Sequence, residues 1–253
     1  MRSAGVAWLL DLYGFKVYTL VGGYKAFRNW VLKTFEKPWK INIVGGYTGS
    51  GKTILLEELG NAGEAVVDLE GIAGHRGSAF GRIGLPEQSS VEMFENRLAI
   101  ELAAIEIKHP GKHIWMEDES QRIGSVSIPH TLWATMRKSL VYFLEIPFEK
   151  RLAYLVDTYG KLDKQELADA TSRIQKKLGG LETKTALQHL DNNDLFGCFD
   201  ILLKYYDKLY TKSLLAREEF QEENKIYKKE IKSERVDPVI NAGKMREAYY
   251  GGN

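Results

Sequence analysis

Ile41-Asn42-Ile43-Val44-Gly45-Gly46-Tyr47-Thr48-Gly49-Ser50-Gly51-Lys52-Thr53 decides the fold. A short apolar run leads into a glycine-rich turn, and a helical pattern follows to Leu59. From Gly46 the turn has the spacing G-x-x-x-x-G-K-[ST], in the strand-to-helix setting that motif requires. Its glycines let consecutive backbone N–H groups wrap phosphate oxygens, and the helix N-terminus adds positive potential. Gly46, Thr48, Gly49, Ser50, Gly51, Lys52 and Thr53 are therefore the expected phosphate-binding residues. Lys52 supplies a point charge, and the Thr53 hydroxyl is placed to hold Mg2+. The loop recognises a di- or triphosphate whatever is attached to it, so it does not by itself make an NTPase.

Strand and helix patterns alternate downstream of this loop. Ala65–Leu69, His113–Met116 and Leu140–Glu145 read as strands. A helix opens at Ser89 with Glu92 as a capping box and runs to Ile107, and Pro129–Lys138 reads as another. That alternation predicts an α/β fold, a P-loop NTPase-like parallel sheet covered on both faces. Beyond Pro147 the pattern is helical, over Phe148–Tyr159, Lys164–Leu178 and Leu195–Lys229. The tail after Asp237 is weakly patterned. The first 31 residues read as helix, a short β-type run at Val17–Val21, turn, and helix, too little to fold alone. The expected organisation is residues 1–32 as the end of a preceding domain, 33–40 as a linker, 41–147 as the P-loop α/β domain and 148–253 as a helical extension.

Ligands of open α/β sheets bind at the carboxyl edge of the strands. Asp68 and Glu70 follow one strand there, and Glu117, Asp118 and Glu119 follow another, where a Walker-B acid belongs. Asp118 reads equally as a metal- or water-holding acid and as a solvated strand end. Gly71–Gly84 (GIAGHRGSAFGRIG) is expected to be a mobile loop, with Arg76 and Arg82 as cations able to close on an anion. His75 on that loop carries no assignment. Phe80, Trp115 and Trp133 read mainly as core and secondarily as a base-stacking wall. His109 and His113 are separated by Pro110-Gly111, which breaks a helix, so they form no paired metal face.

Lys and Arg total 35 against 34 Asp and Glu, so the net charge of +1 excludes a globally basic nucleic-acid binder and leaves only local basic faces. One cysteine excludes a disulfide framework and any multi-cysteine zinc site, and fits a reducing, cytoplasmic setting. That cysteine, Cys198, lies in an apolar helical pattern and reads as a small buried hydrophobe. No apolar run is long enough to cross a membrane.

Several pieces in order resemble the tRNA 2-selenouridine synthases. They are Met1-Arg2-Ser3 with Trp8-Leu9, Gly22-Gly23-Tyr24-Lys25-Ala26 with Arg28-Asn29, and the loop Gly45–Thr53. Asp68-Leu69-Glu70-Gly71 and His75-Arg76-Gly77-Ser78-Ala79-Phe80-Gly81 follow, and this pair after a P-loop is the most specific part. Glu117-Asp118-Glu119-Ser120 with Ile123-Gly124, Pro147-Phe148-Glu149 with Arg151-Leu152, and Tyr205-Tyr206-Asp207 with Tyr210 complete the set.

The resemblance implies a rhodanese-like domain joined to a P-loop domain, acting on wobble 2-thiouridine of tRNA. It implies geranylation of the sulfur by geranyl diphosphate and then replacement of the S-geranyl group by selenium from selenophosphate. Lys52, Asp68, Arg76 and Asp118 are then the expected catalytic residues, with Thr53 and Asp118 holding Mg2+. The family's rhodanese cysteine precedes an Arg-Ser pair, which here is Arg2-Ser3 just after Met1. Residues 1–31 are then expected to close a rhodanese-like domain, and either the chain is a fragment or a separate rhodanese-like polypeptide supplies the front half with its thiol. Contacts to the tRNA backbone are expected from Arg122, Arg137, Lys138 and the lysines of the long C-terminal helix. Two rival readings remain at this stage, a P-loop NTPase or small-molecule kinase and a non-catalytic tRNA-binding subunit.

Overall fold

The computed structural model describes residues 2–217 and 227–251. The chain opens with α1 (Arg2–Leu12) and α2 (Gly23–Thr34), then β1 (Ile41–Gly46), α3 (Lys52–Asn61), β2 (Ala65–Val67), α4 (Leu69–Ala73) and α5 (Val91–Lys108). β3 (Ile114–Glu117), the hairpin β4 (Arg122–Ile123) and β5 (Val126–Ser127), α6 (His130–Lys138) and β6 (Leu140–Glu145) follow. The helical part is α7 (Phe148–Tyr159), α8 (Lys164–Arg173), α9 (Gln175–Leu178), α10 (Gly180–Asp191) and α11 (Leu195–Arg217), after which come β7 (Lys228–Lys232) and α12 (Pro238–Tyr250).

The main sheet has the order β2-β3-β1-β6-β7, and every adjacent pair is parallel. All six residues of β1 are buried, as a strand covered on both faces must be. Ile43, Phe94, Leu98 and Met116 belong to the core on one face. Leu55, Leu59, Trp115 and Met245 belong to the core on the other. Successive connections leave β1 and β3 for opposite sides of the sheet, which opens a crevice at their carboxyl ends. A third apolar cluster, with Leu167, Ala186, Cys198 and Leu202, holds α8, α10 and α11 together and receives Phe80 and Ile83 from the glycine-rich stretch.

The α/β architecture matches the sequence reading, and the differences are local. Val17–Val21 forms no strand. The cap of α5 is Ser90, one residue past Ser89, and its Oγ accepts from Met93 N–H. The long C-terminal helix is described only to Arg217, and its expected course over 218–226 lies outside the described residues. Lys228 and Lys229, expected at its end, instead open β7 beside β6. Alternating burial in Lys-Lys-Glu-Ile-Lys is too weak a strand signal, since only Ile231 is buried. The weakly patterned tail is α12, capped by the Asp237 carboxylate on Ile240 N–H. Within 33–40, Thr34 and Phe35 are buried and Trp39 Nε1–H donates to Thr34 O. Trp8, Leu12, Tyr13, Phe15, Tyr18 and Val21 near the start are exposed. Among the described residues no helix is long and apolar enough to cross a membrane.

One buried ion pair ties the helical part to the phosphate-binding turn. Arg151 on α7, 3% exposed, makes a two-pronged bond to Asp207 on α11 at 2.9 and 2.8 Å. It also donates to Thr48 O at 3.0 Å and to Ile146 O at 3.1 Å. Removing one partner of such a pair leaves an uncompensated buried charge and a bare carbonyl. Arg151→Ala is therefore expected to lower the unfolding free energy by about 3 kcal/mol, read from the urea midpoint. An unchanged midpoint would mean that the loop is held by other contacts.

Candidate phosphate-binding cleft

The turn between β1 and α3 is closed by backbone shape. Gly49 and Gly51 have φ of +79° and +74°, a region that side chains on Cβ disfavour. Both also back onto packed neighbours. A Cβ on Gly49 would meet Leu155 and the Arg151 carbonyl, and one on Gly51 would meet Val236. Lys52 Nζ donates to Gly46 O at 2.9 Å and sits 5.7 Å from the centre of the Tyr210 ring. Its charge is thus parked on the mouth of the turn.

The turn forms one wall of a cleft of about 660 Å³. Thr48, Gly49, Gly51, Lys52 and Thr53 line it together with Asp68, Glu70, Arg76, Asp118 and Glu119. Gly46 and Ser50 belong to the turn but not to this lining, and Ser50 is 1% exposed. Arg82 lies outside the lining as well, beside His75. The rest of the lining includes Leu85, Tyr154, Leu155, Tyr159, Tyr206 and Leu209. Phe80 and Trp115 are core residues, 5% and 0% exposed, so the aromatic wall comes from tyrosines of α7 and α11 instead. Helical spacing alone does not reveal them, because Tyr154, Tyr159 and Tyr206 look like any core-facing aromatic.

The glycine-rich stretch is packed, which departs from the mobile loop expected of its composition. His75 and Phe80 are buried, Arg76 N–H donates to Gly81 O at 3.0 Å, and Ala79 N–H donates to the Tyr206 hydroxyl at 3.3 Å. Arg76 remains exposed on the cleft beside the Tyr159 side chain. Burial pushes the Tyr206 hydroxyl up to about 12, and that hydroxyl is the acceptor of the Ala79 N–H bond. Burial lowers the affinity of His75 for a proton, with Arg82 adding to the effect.

The acids divide by partner. Asp68 caps α4 by accepting from Gly71 N–H at 2.7 Å. Asp118 is fully engaged. Its Oδ2 accepts from the Tyr210 hydroxyl at 2.7 Å, and its Oδ1 pairs with Arg217, which is 1% exposed. Thr53 Oγ1 donates to Glu70 at 2.9 Å. The Thr53 hydroxyl donates its proton and keeps its lone pairs, while among the described residues no group of three His, Cys, Asp or Glu is arranged to hold a metal. Lys52 and Arg76 are the lysine and the arginine of the cleft lining.

Glu70 and Glu119 hold protons above the ordinary carboxylate range. Burial is the main cause for both, and for Glu119 the Glu70 charge comes next. Glu117 is fully buried, with its pKa raised well above normal by burial and then by Asp68, and it accepts from Leu69 N–H at 3.0 Å. Arg137, expected on a tRNA-facing surface, is instead 5% exposed and donates to Ser213 O. Cys198 is 2% exposed with its thiol pushed up to about 11, a structural residue as read from the sequence.

Because the Glu70–Glu119 pair is protonated at lower pH, rising pH puts negative charge beside Lys52 and opposes anion binding. In titration calorimetry with inorganic pyrophosphate, Glu119→Gln should match the wild type at low pH and bind several-fold more tightly as pH rises. A ratio that stays flat with pH would remove this pair from the anion site.

A family model described as the tRNA 2-selenouridine synthase AAA domain matches residues 39–171. A tRNA 2-selenouridine synthase of Sulfurovum sp. (strain NBC37-1) is 35% identical over 234 residues, 80% of this chain and 62% of that protein. The one from Marinobacter nauticus is 35% identical over 79% of this chain and 62% of its own length. That of Serratia proteamaculans is 41% identical over 63% of this chain and 39% of its own length. The chain thus spans about 62% of the length of the first two relatives.

Proposed function

The chain belongs to the tRNA 2-selenouridine synthase family, and from that premise we propose that its cleft transfers a geranyl group to the sulfur of wobble 2-thiouridine in tRNA. One observation carries the reading. A single cleft joins a glycine-lined diphosphate cradle to a wall of Leu155, Leu209, Tyr154, Tyr159 and Tyr206. The charged end of geranyl diphosphate suits the first surface, and its hydrocarbon suits the second.

On this reading the diphosphate displaces Lys52 Nζ from Gly46 O and takes that charge for itself. N–H groups of the Gly49–Thr53 turn share the load, and Arg76 closes from the far rim. These donors stabilise the leaving diphosphate as the allylic C–O bond breaks. The thiouridine sulfur forms the new C–S bond, and the N3 proton passes to solvent or to a carboxylate of the cleft. The apolar wall covers the hydrocarbon and excludes water. The wobble base reaches the cleft only if splayed from its stack.

Selenium from selenophosphate then bonds to C2 as the C2–S bond breaks, geranyl thiol leaves and water takes the phosphoryl group as phosphate, with a rhodanese-like half supplying the thiol for that stage. The exposed apolar side chains of Trp8, Phe15 and Val21 support the packing of such a half against residues near the start of the chain.

Incubation with 2-thiouridine tRNA and geranyl diphosphate, followed by nucleoside mass analysis, tests the transfer. S-geranyl-2-thiouridine should form without added nucleotide, and Lys52→Ala should reduce its rate on the order of a hundredfold or more. Steady ATP or GTP hydrolysis lost in Lys52→Ala, with no alkylated nucleoside, would overturn the proposal in favour of an NTPase. Addition of selenophosphate with and without a rhodanese-like partner assigns the second stage.

A further inference from the structure

Helix α11 has two working faces. Tyr206, Leu209, Tyr210 and Ser213 look into the cleft. On the other side, Asp207, Lys208, Thr211, Lys212 and Leu215 line a separate open groove of about 570 Å³, floored by Tyr47 and Phe148. Lys204, Lys208 and Lys212 fall four residues apart, so they stand in one row rising roughly 6 Å per step.

The helix's acids do not neutralise this row. Asp207 is spent on Arg151, and Asp200 pairs only with Lys204. Lys208 and Lys212 have no ion-pair partner among the described residues, and both are exposed. Phe148 lies under Lys204 at 5.9 Å and beside Arg151 at 5.6 Å from its ring centre. Cations in register along a helix, with an aromatic ring below them, fit a nucleic-acid strand. The lysines meet its phosphates and the ring offers a stacking surface. A lipid surface fits less well, because Leu215 is the large exposed aliphatic side chain in the groove lining.

We infer that this groove is the RNA-backbone surface of the protein, with Lys208 and Lys212 on phosphates and Phe148 under a base next to the one being modified. The inference rests on the proposed tRNA substrate and adds where that substrate lies. A strand on the outer face of α11 is one helix width, about 10 Å, from the cleft on the inner face. A single splayed nucleotide spans that distance.

The test is fluorescence anisotropy with a labelled tRNA across a salt series, using the full chain, beside titration of inorganic pyrophosphate. Lys208→Ala/Lys212→Ala should weaken tRNA binding on the order of tenfold at 0.1 M salt and lower the log–log salt slope by about 1.4. Phe148→Leu should weaken binding with the slope unchanged. Pyrophosphate affinity should stay at the wild-type value in both variants. Lys108→Ala, at the far end of α5, should change nothing.

Wild-type affinity and slope in the double variant would overturn the surface while leaving the tRNA reading intact, and so would an equal loss in Lys108→Ala. Loss of binding to phosphatidylserine vesicles in the double variant, with tRNA affinity unchanged, would give the groove to a membrane and overturn the proposal. Failure of the wild type to bind any tRNA would sink the transferase reading itself, and the surface with it.

Discussion

The Arg151 guanidinium is the constraint on which the site depends. It is buried, it holds Asp207 with two parallel bonds, and it presents its remaining donors to Thr48 O and Ile146 O. One side chain therefore fixes the relative position of the phosphate-binding turn, the start of α7 and the middle of α11. A planar fork with several donors is suited to that task, and a lysine is not. The cost of taking this charge from water is offset only because every direction it points in has an acceptor.

Anion recognition in this cleft works against a high density of acids. Glu70 and Glu119 crowd near Lys52, and Glu117 lies buried beside Asp68 and Glu70. The fold limits the damage in two ways. Burial and mutual repulsion keep carboxyl groups protonated beyond their usual range. Arg217 and Tyr210 cancel Asp118 from behind. The acid at the position of a Walker-B residue is thus a brace between β3 and α11. The positive potential of the turn is left to act on whatever enters from the open side.

The central fold was legible because its signals are local and redundant. An apolar strand, a glycine turn at fixed spacing and a helix occur within twenty residues, and alternation then implies parallel strands. Lys52, Thr48, Gly49, Gly51 and Thr53 came from that motif, and the acids from their place at the carboxyl ends of strands. What stayed hidden depends on partners far apart in the chain. Tyr210 and Arg217 act on an acid 92 and 99 residues earlier, and no periodicity marks either of them. Arg151 and Asp207 were visible as pieces of a family resemblance, but their bond was not. The strand over Lys228–Lys232 was missed because a charged edge strand carries little alternation. Phe80 and Trp115 show the converse, aromatics near a site whose burial belongs to the core.

The placement of β7 has a consequence for how the molecule comes into being. It joins the sheet beside β6 only after some eighty intervening residues. The Val236 side chain that backs Gly51 arrives later still. Long-range parallel pairing of this kind forms slowly, since loop closure precedes any reward. During synthesis, the strands up to β6 leave the ribosome with one flank of the sheet bare. The turn gains its last supporting wall only when residue 236 emerges, so assembly of the nascent chain is expected to finish at its carboxyl end.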